Sequence, residues 1–247
     1  MKKSIVALVA IFFVVTNPLV AEARFDWFKN KVKAIAGEQT ETLTSGKLSD
    51  SKIGQGLKEA LKVGITNAVE KVSQTDGYLN NENIKLLLPD KLQKLEKGLR
   101  MVGFDEQLDE FILSMNRAAE SAAPQARDIF LDSLFDMSID DAQKIYRGKP
   151  TAATDYFRKT AYDRLHKAFQ PSVEDSLRKY DVTAKYKVLL DKYATLPFTK
   201  NFPAPDIDDY VVGKSLDGLF EVLGQEEQKI RTDPAARVTD LLREVFK

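Results

Sequence analysis

His166 is the one histidine in this 247-residue chain, and the chain has no cysteine. Thiol nucleophiles, cysteine-ligated zinc and iron–sulfur clusters are therefore excluded, because each of them needs cysteine sulfur. A Ser-His-Asp triad would have to use His166 as its base. The cationic residues Arg164 and Lys167 lie close to this histidine, and no G-x-S-x-G nucleophile elbow occurs. The pattern favours a histidine on a solvated helix face over a catalytic one.

Two polar groupings are the other places where binding chemistry is indicated. Asn116, Arg117 and Glu120 interrupt a run of apolar and small residues. Asn116 and Glu120 are four residues apart and so share one helix face. The second grouping surrounds the last turn between helices and consists of Glu226, Glu227, Arg231 and Arg237.

Both groupings are open to two interpretations. In the first, which we favour, they are ion-pair and capping networks that fix the register of the helices. In the second, Arg117, Arg231 or Arg237 meets an anionic ligand. The ligand-binding hypothesis names Asn116, Arg117, Glu120, Glu227, Arg231 and Arg237.

The sequence predicts neither a metal site nor a cofactor. One carboxylate cluster lacks the spacing and the glycine of a calcium loop, and suits a helix cap and first turn instead. This cluster comprises Asp206, Asp208 and Asp209. Residues 54–56 read Gly-Gln-Gly, but a dinucleotide loop needs a preceding strand and a third glycine. These glycines are expected to let helices approach closely.

Apolar residues recur at spacings of three and four almost throughout the chain, and alternating strand patterns are nearly absent. An all-α fold is therefore predicted, with a single multi-helix domain over residues 49–247. The first helix is expected to begin at Ser49 or Asp50 and to stop at Asp76-Gly77, with Gly77 in the left-handed conformation. Its buried stripe is predicted to be Ile53, Leu57, Leu61, Ile65, Ala68 and Val72.

Prolines and short polar residues predict the later helix boundaries. Capping residues are expected at the starts of three helices: Asp105, Ser138 with Asp141 as its capping-box partner, and Asp206. Pro171 is expected to divide one helix in two. Asp233 and Pro234 are expected to be the N-cap and the first residue of the last helix.

Residues 1–23 have the pattern of a cleaved signal peptide. Lys2 and Lys3 precede an unbroken apolar run over residues 5–15, and Ala21 and Ala23 are the small residues that a signal peptidase reads. The run is too short to cross a bilayer, which takes about 20 residues. Cleavage after Ala23 predicts a periplasmic protein. Because no cysteine follows the cleavage site, the protein is not expected to be a lipoprotein.

Residues 24–48 are predicted to form a short basic amphipathic arm and a polar linker. One hypothesis is a weak contact between this arm and an anionic membrane surface; docking on the protein's own core, or disorder, is an equal one. The membrane-surface hypothesis names Phe25, Trp27, Phe28, Lys29 and Lys31. Without residues 1–23 the chain has 35 basic and 36 acidic side chains. This balance creates no field that attracts nucleic acid, so no nucleic-acid partner is predicted.

Four stretches of the chain carry a resemblance to a known family: GLKEALKVGITNAVEKVS, SMNRAAESAAPQARDIF, DYFRKTAYDRLHKAF and SLDGLFEVLGQEEQKIRTDPAARVTDLLREVF. In this order they resemble the bacterial family catalogued as domain of unknown function 4197. The resemblance implies an exported helical protein with no established activity. It implies a fold and a compartment, but no catalytic residue.

Two functional hypotheses of different classes follow. The first is a non-catalytic ligand-binding or protein-interaction module of the cell envelope, whose partner is an apolar or anionic small molecule or an envelope protein. Small residues that would leave room for an apolar molecule between helices are Gly64, Ala118, Ala119, Ala122 and Ala123. The alternative is a periplasmic hydrolase that uses carboxylates and His166. The lack of thiols and the cationic surroundings of His166 favour the first hypothesis.

Overall fold

The computed structural model describes residues 50–194, 206–237 and 239–245, and this part of the chain forms helices and loops with no strand. The prediction of an all-α domain is therefore confirmed. The predictions made for residues 1–48, namely the signal peptide, the arm and the linker, lie outside the described residues.

Nine α-helices occupy the described residues. They are α1 (Asp50–Ser73), α2 (Asp90–Met101), α3 (Asp105–Ala122), α4 (Ala126–Phe135), α5 (Ile139–Tyr146), α6 (Ala152–Lys179), α7 (Val182–Ala194), α8 (Ile207–Thr232) and α9 (Asp240–Val245). Two short 3₁₀ turns, Ala123–Gln125 and Pro234–Ala236, precede α4 and α9. The first of these turns contains Pro124, which cannot donate a backbone hydrogen bond to a continuous helix.

The two longest helices, α6 and α8, pack along each other and form the centre of the domain. Helix α1 packs against α8, α3 packs against α6, and α4 and α5 each contact both α1 and α6. The ring of Phe130 on α4 meets Phe157 on α6 and Phe220 on α8 edge to face, with ring centroids 5.6 and 5.5 Å apart. Such aromatic contacts add to the free energy gained by burial. One continuous hydrophobic core therefore joins these helices.

Helix α1 is close to its prediction, except at its end. The predicted stripe is buried apart from Ile53, which is half-buried. The left-handed residue, however, is Asp76 at φ 68°, not Gly77. Aspartate tolerates this conformation because its short side chain can bond locally. Glycine is needed at position 77 for space, since a Cβ there would lie 2.5 Å from the carbonyl oxygen of Lys71.

Two of the three predicted caps are confirmed. Ser138 Oγ accepts the amide of Asp141 at 3.1 Å, and the Asp141 carboxylate accepts the amide of Ser138 in return. The Asp141 carboxylate also accepts a hydrogen bond from the Ser138 hydroxyl. This bond contributes most to lowering the pKa of Asp141, and the bond from the Ser138 amide lowers it further. Asp206 Oδ1 accepts two first-turn amides of α8. The prediction for Asp105 is wrong, because it is the first residue of α3 and makes no cap bond; it lies 3.5 Å from the guanidinium of Arg100.

Pro171 does not divide a helix, so that prediction is wrong. Helix α6 runs through it without interruption from Ala152 to Lys179. A proline in a helix interior costs about 3 kcal/mol, because one backbone hydrogen bond is lost and the ring crowds the preceding turn. Phe169 and Val173, on either side of it, are both fully buried. Burial of both halves of the helix offsets the local cost.

The last helix also differs from its prediction. Asp233 is an N-cap as predicted, since its carboxylate accepts a hydrogen bond from the amide of Ala235 at 2.9 Å. The element that it caps, however, is the 3₁₀ turn Pro234–Ala236 and not the last α-helix. Arg237 donates back to the carbonyls of Ile230 and Arg231 at the end of α8. The backbone of residue 237 is itself outside the helical conformation. A separate short helix, α9, follows.

Glycines on α1 and α8 provide a matched test of close helix packing. A Cβ at Gly56 would lie 2.5 Å from Val245 Cγ2 on α9, whereas a Cβ at Gly213 would meet no atom within 4 Å. We expect Gly56→Ala to lower the free energy of unfolding by about 1–3 kcal/mol, because α9 must shift. Gly213→Ala should raise it by about 0.5–1 kcal/mol through helix propensity. Urea unfolding followed by circular dichroism measures both, and equal effects of the two changes would contradict the packing described.

Candidate functional site

Residues 74–89, between α1 and α2, contain no helix, and we call this segment the strap. Residues 74–84 are mostly turns, and residues 85–89 belong to no helix, strand or turn. Leu86 and Leu88 are buried and Leu87 between them is exposed, the alternation of an extended chain. Four side chains of the strap are buried in the core: Tyr78, Ile84, Leu86 and Leu88. Irregular segments of this length are uncommon inside compact domains and are usually either functional or linkers, and the buried side chains of this one set it apart from a linker. The strap is therefore the first candidate for a functional element.

Asn116, fully buried on α3, holds the extended part of the strap. Its Oδ1 accepts the amide of Leu86 at 2.9 Å, and its Nδ2 donates to the carbonyl of Leu86 at 2.9 Å. Nδ2 also donates to the carbonyl of Ile112 in its own helix. One side-chain amide thus bonds both backbone groups of Leu86, as a neighbouring strand would.

Glu120, one turn further along α3, holds the turn part of the strap. Its Oε1 accepts the amides of Tyr78 and Leu79 at 3.2 and 3.3 Å. Its Oε2 accepts from Arg117 at 2.6 Å, and Arg117 also donates to Asp76 at 2.6 Å. The structure therefore brings the first predicted grouping together. Asn116, Arg117 and Glu120 each bond to the strap.

Two tyrosines fasten the strap to α8. Tyr78 Oη donates to the carbonyl of Ser215 at 2.6 Å. Gly218 leaves space for the Tyr78 ring, since a Cβ there would lie 2.7 Å from Cε1 of that ring. Tyr210 Oη donates to the carbonyl of Leu87 at 2.9 Å. Burial, and then the charge of Asp90, raises the pKa of Tyr210 to about 12.

The buried tyrosines predict a loss of stability at alkaline pH. Burial raises the pKa values of Tyr78, Tyr186 and Tyr210 above the ordinary value of 10. Above pH 10 the unfolded chain therefore releases phenolic protons that the folded chain retains, and the free energy of unfolding falls as pH rises towards 12. Tyr78→Phe should show a smaller fall over this range than the parent protein. Parallel pH profiles of urea unfolding check this, and parallel slopes would count against the burial of the Tyr78 hydroxyl.

Glu227, buried on α8, caps the start of α6. Its Oε1 accepts the amide of Ala153 at 3.0 Å, and its Oε2 accepts both the amide and the hydroxyl of Thr154 at 2.9 Å. Thr151, at the N-cap position of α6, makes no side-chain cap bond. A carboxylate is favoured there because the free amides and the helix dipole attract negative charge. Glu227 thus supplies from another helix the cap that the local sequence does not.

Arginines of the second grouping bond to helix ends. Arg231 donates to Glu227 Oε1 at 2.9 Å and to the carbonyl of Ile145, in the last turn of α5, at 2.8 Å. Arg237 bonds the last carbonyls of α8 as described above. Glu226 has other partners, since its carboxylate accepts hydrogen bonds from Asn67 on α1 and from Lys229 on its own helix. The second grouping therefore ties α5, α6 and α8 together.

His166 lies on α6 with its Nε2 3.3 Å from Asp209 Oδ1, and its side chain is partly exposed. The Tyr162 ring lies beside it, with ring centroids 6.1 Å apart.

Burial, and then the charge of Asp206, raises the pKa of Asp208. Within the described residues no group of three or more histidine, aspartate or glutamate side chains is arranged to hold a metal ion.

Two open grooves border the strap. One, of about 410 Å³, lies along the turn part and the end of α1. The other, of about 400 Å³, lies between residues 83–90 and the helices α6 and α8, and we call it the strap groove. Its lining includes Lys85, Leu87, Arg158, Tyr210, Lys214 and Asp217.

The small residues that were expected to leave room for an apolar molecule lie in the core. Ala118, Ala119, Ala122 and Ala123 are fully buried. A Cβ at Gly64 would be in ordinary contact with Ile230 on α8, at 3.5 Å. These residues allow close approach of the helices. None of the described helices combines the length and apolar composition that crossing a membrane requires.

Comparison with protein families decides how this helical domain is classified. The family model described as "Protein of unknown function (DUF4197)" matches residues 47–247. The chain belongs to the DUF4197 family. Comparison of this DUF4197 protein with curated proteins and with solved structures gives no match.

Sequence reasoning did not identify the strap or the tyrosines that fasten it in this DUF4197 protein. The available signal was the alternation of Ile84, Leu86 and Leu88, which predicts an extended segment with one buried face. It could not identify Tyr210, because the bond to Leu87 joins residues that are 123 positions apart.

Proposed function

We propose that this DUF4197 protein is an exported, non-catalytic interaction module of the cell envelope, and that its binding face is the strap with the strap groove. One observation carries the proposal. The strap is fixed to α3 and α8 by buried hydrogen bonds, yet Leu87 in its extended part is 50% exposed. Leu87 also lines the strap groove, where an exposed apolar side chain beside polar groups of α6 and α8 offers a partner both kinds of contact.

The contacts of the two polar groupings support a structural role for their arginines. The guanidinium of Arg117 already reaches two carboxylates, and Arg231 and Arg237 donate to backbone carbonyls. An anionic ligand at any of these arginines would have to displace a partner that holds the fold. We therefore propose the strap groove, and not the six residues of the ligand-binding hypothesis, as the binding site.

Export rests on the signal-peptide pattern of residues 1–23, which also makes the periplasm the proposed compartment. A weak contact of the arm with the membrane surface, through Phe25, Trp27 and Phe28, belongs to the same proposal. Such a contact would keep the module near envelope partners.

Native mass spectrometry tests this proposal directly. The protein is purified from the envelope of the bacterium that makes it, and we expect a chain that begins at Arg24 and carries additional bound mass. Leu87→Glu should lose that mass. Ile139→Glu is the matched control, because Ile139 is 51% exposed but lies on α5. Bound mass that is lost equally in both variants, or is absent from the parent protein, contradicts the proposal.

The contact between His166 and Asp209 favours a second candidate, the periplasmic hydrolase. A histidine paired with a carboxylate is part of many acyl-transfer sites. This candidate predicts that His166→Ala and Asp209→Asn each abolish the physiological function in an assay of envelope integrity, with an unchanged unfolding midpoint. The interaction module predicts that both variants keep function and bound mass.

A further inference from the structure

The two backbone edges of the extended part of the strap differ in how many of their hydrogen-bonding groups already have a partner. In an extended chain the N–H and C=O of one residue point to the same side, and those of the next residue point to the opposite side. Asn116 on α3 bonds both groups of Leu86. The edge of the strap that faces α3 is therefore occupied.

The opposite edge faces α8. The carbonyl of Leu87 points that way, since Tyr210 Oη on α8 donates to it. In an extended chain the amide of Leu87 and both backbone groups of Lys85 lie on this side as well. The Lys85 amide donates to the carbonyl of Asn81 at 2.8 Å, which leaves the Leu87 amide and the Lys85 carbonyl. Within the described part of the chain, neither of these two groups has a hydrogen-bond partner.

The strap groove lies beside this edge and its two unpaired backbone groups. Ile84 packs against Gly218 on the α8 side, since a Cβ at Gly218 would lie 3.0 Å from Ile84 Cβ. Residues of both the strap and α8 line the groove, and its volume is about 400 Å³. A segment a few residues long, lying parallel to the strap, is of a size to fill it.

The charges that line the groove are of both signs. Lys85, Arg158 and Lys214 supply three cations, and Asp90, Asp217 and Glu221 supply three carboxylates. Asp217 lies between two of the cations, 3.2 Å from Arg158 and 4.0 Å from Lys214. A polyanion such as nucleic acid or an anionic membrane surface would meet these carboxylates, and like charges in close contact repel. A segment that carries charges of both signs can place its basic residues beside the carboxylates and its acidic residues beside the cations.

We propose that the strap groove binds an extended polypeptide segment, which pairs as an added strand with the Leu87 amide and the Lys85 carbonyl. The inference rests on the proposed function and names the chemistry of its partner. Backbone pairing supplies affinity in strand addition, and side-chain contacts supply specificity. The exposed Leu87 side chain selects an apolar residue beside it, and the mixed charges select a segment with both acidic and basic residues.

The first experiment uses a random dodecapeptide library displayed on phage, selected against the full mature protein. Enriched peptides are synthesised, and their affinities are measured by fluorescence anisotropy. Leu87→Pro removes the unpaired amide without removing any hydrogen bond that the fold uses, and it should weaken binding at least about tenfold. Leu87→Ala keeps the amide and should weaken binding less. Ile139→Pro is the control, since proline is tolerated at the first position of α5, and it should bind as the parent does.

A second measurement needs no protein variant. N-methylation of alternate residues removes the donors from one edge of an extended peptide. Methylating one alternate set should abolish binding, and methylating the other set should leave it unchanged. Failure to enrich any peptide, equal affinity for Leu87→Pro and Ile139→Pro, or indifference to which set is methylated each overturns strand addition. Bound mass that depends on Leu87 in native mass spectrometry would then still support an interaction module that recognises its partner in another way.

Discussion

Replacement of Glu227 by alanine is expected to lower the free energy of unfolding by about 3–5 kcal/mol. Glu227 is buried and accepts three hydrogen bonds from the first turn of α6. Its loss leaves those donors unsatisfied and removes the carboxylate partner of Arg231. The guanidinium of Arg231 would remain mostly buried without a carboxylate partner, and an unpaired buried charge accounts for the size of the effect.

Urea unfolding followed by circular dichroism measures this effect. Glu221→Ala is the control, because Glu221 is exposed on the same helix and its replacement should change the free energy of unfolding by less than about 0.5 kcal/mol. Glu227→Gln keeps the acceptors but not the charge, so an intermediate loss is expected. A loss for Glu227→Ala that is no larger than for Glu221→Ala would show that the cap on α6 does not hold the fold.

Replacement of Asn116 by alanine should lower the free energy of unfolding by about 2–4 kcal/mol. The buried N–H and C=O of Leu86 both lose their partner, and each unsatisfied buried group costs about 1–3 kcal/mol. The extended part of the strap should loosen, and binding at the strap groove should be lost with it.

Thermal and urea unfolding check the Asn116 variant beside Ser121→Ala. Ser121 is exposed on the same helix, so its replacement should be close to neutral. If Asn116→Ala were as stable as Ser121→Ala, the bonds between Asn116 and Leu86 would contribute nothing to holding the strap.

The helices of this domain were predictable wherever local sequence and tertiary packing agree. The stripe of α1 and the capping box of Ser138 and Asp141 depend on residues three or four apart, and both are confirmed. Pro171 shows the opposite case. Its local penalty is offset by burial of Phe169 and Val173, which depends on helices that a single-segment pattern does not include.

The sequence identified the residues of the polar groupings, but not the groups to which they bond. Spacing placed Asn116 and Glu120 on one helix face, and the structure brings them to the strap. Their acceptors and donors lie 30 to 42 positions away along the chain, at Leu86 and Tyr78. Likewise Glu227 bonds to a helix start 74 positions earlier, at Ala153. Contacts of this kind are set by how the helices pack, which the spacing within one helix does not determine.

Native-state amide hydrogen exchange at Leu86 and Leu87 of the free protein tests the central claim most directly. That claim is that Asn116 fixes the strap along one edge, while the Leu87 amide and the Lys85 carbonyl on the other edge remain unpaired within the described residues and available for binding. The Leu86 amide, bonded to buried Asn116, should exchange at least about a hundredfold more slowly than the Leu87 amide, which has no partner in the described part of the chain. Equal protection of the two amides, or faster exchange at Leu86, would contradict the account.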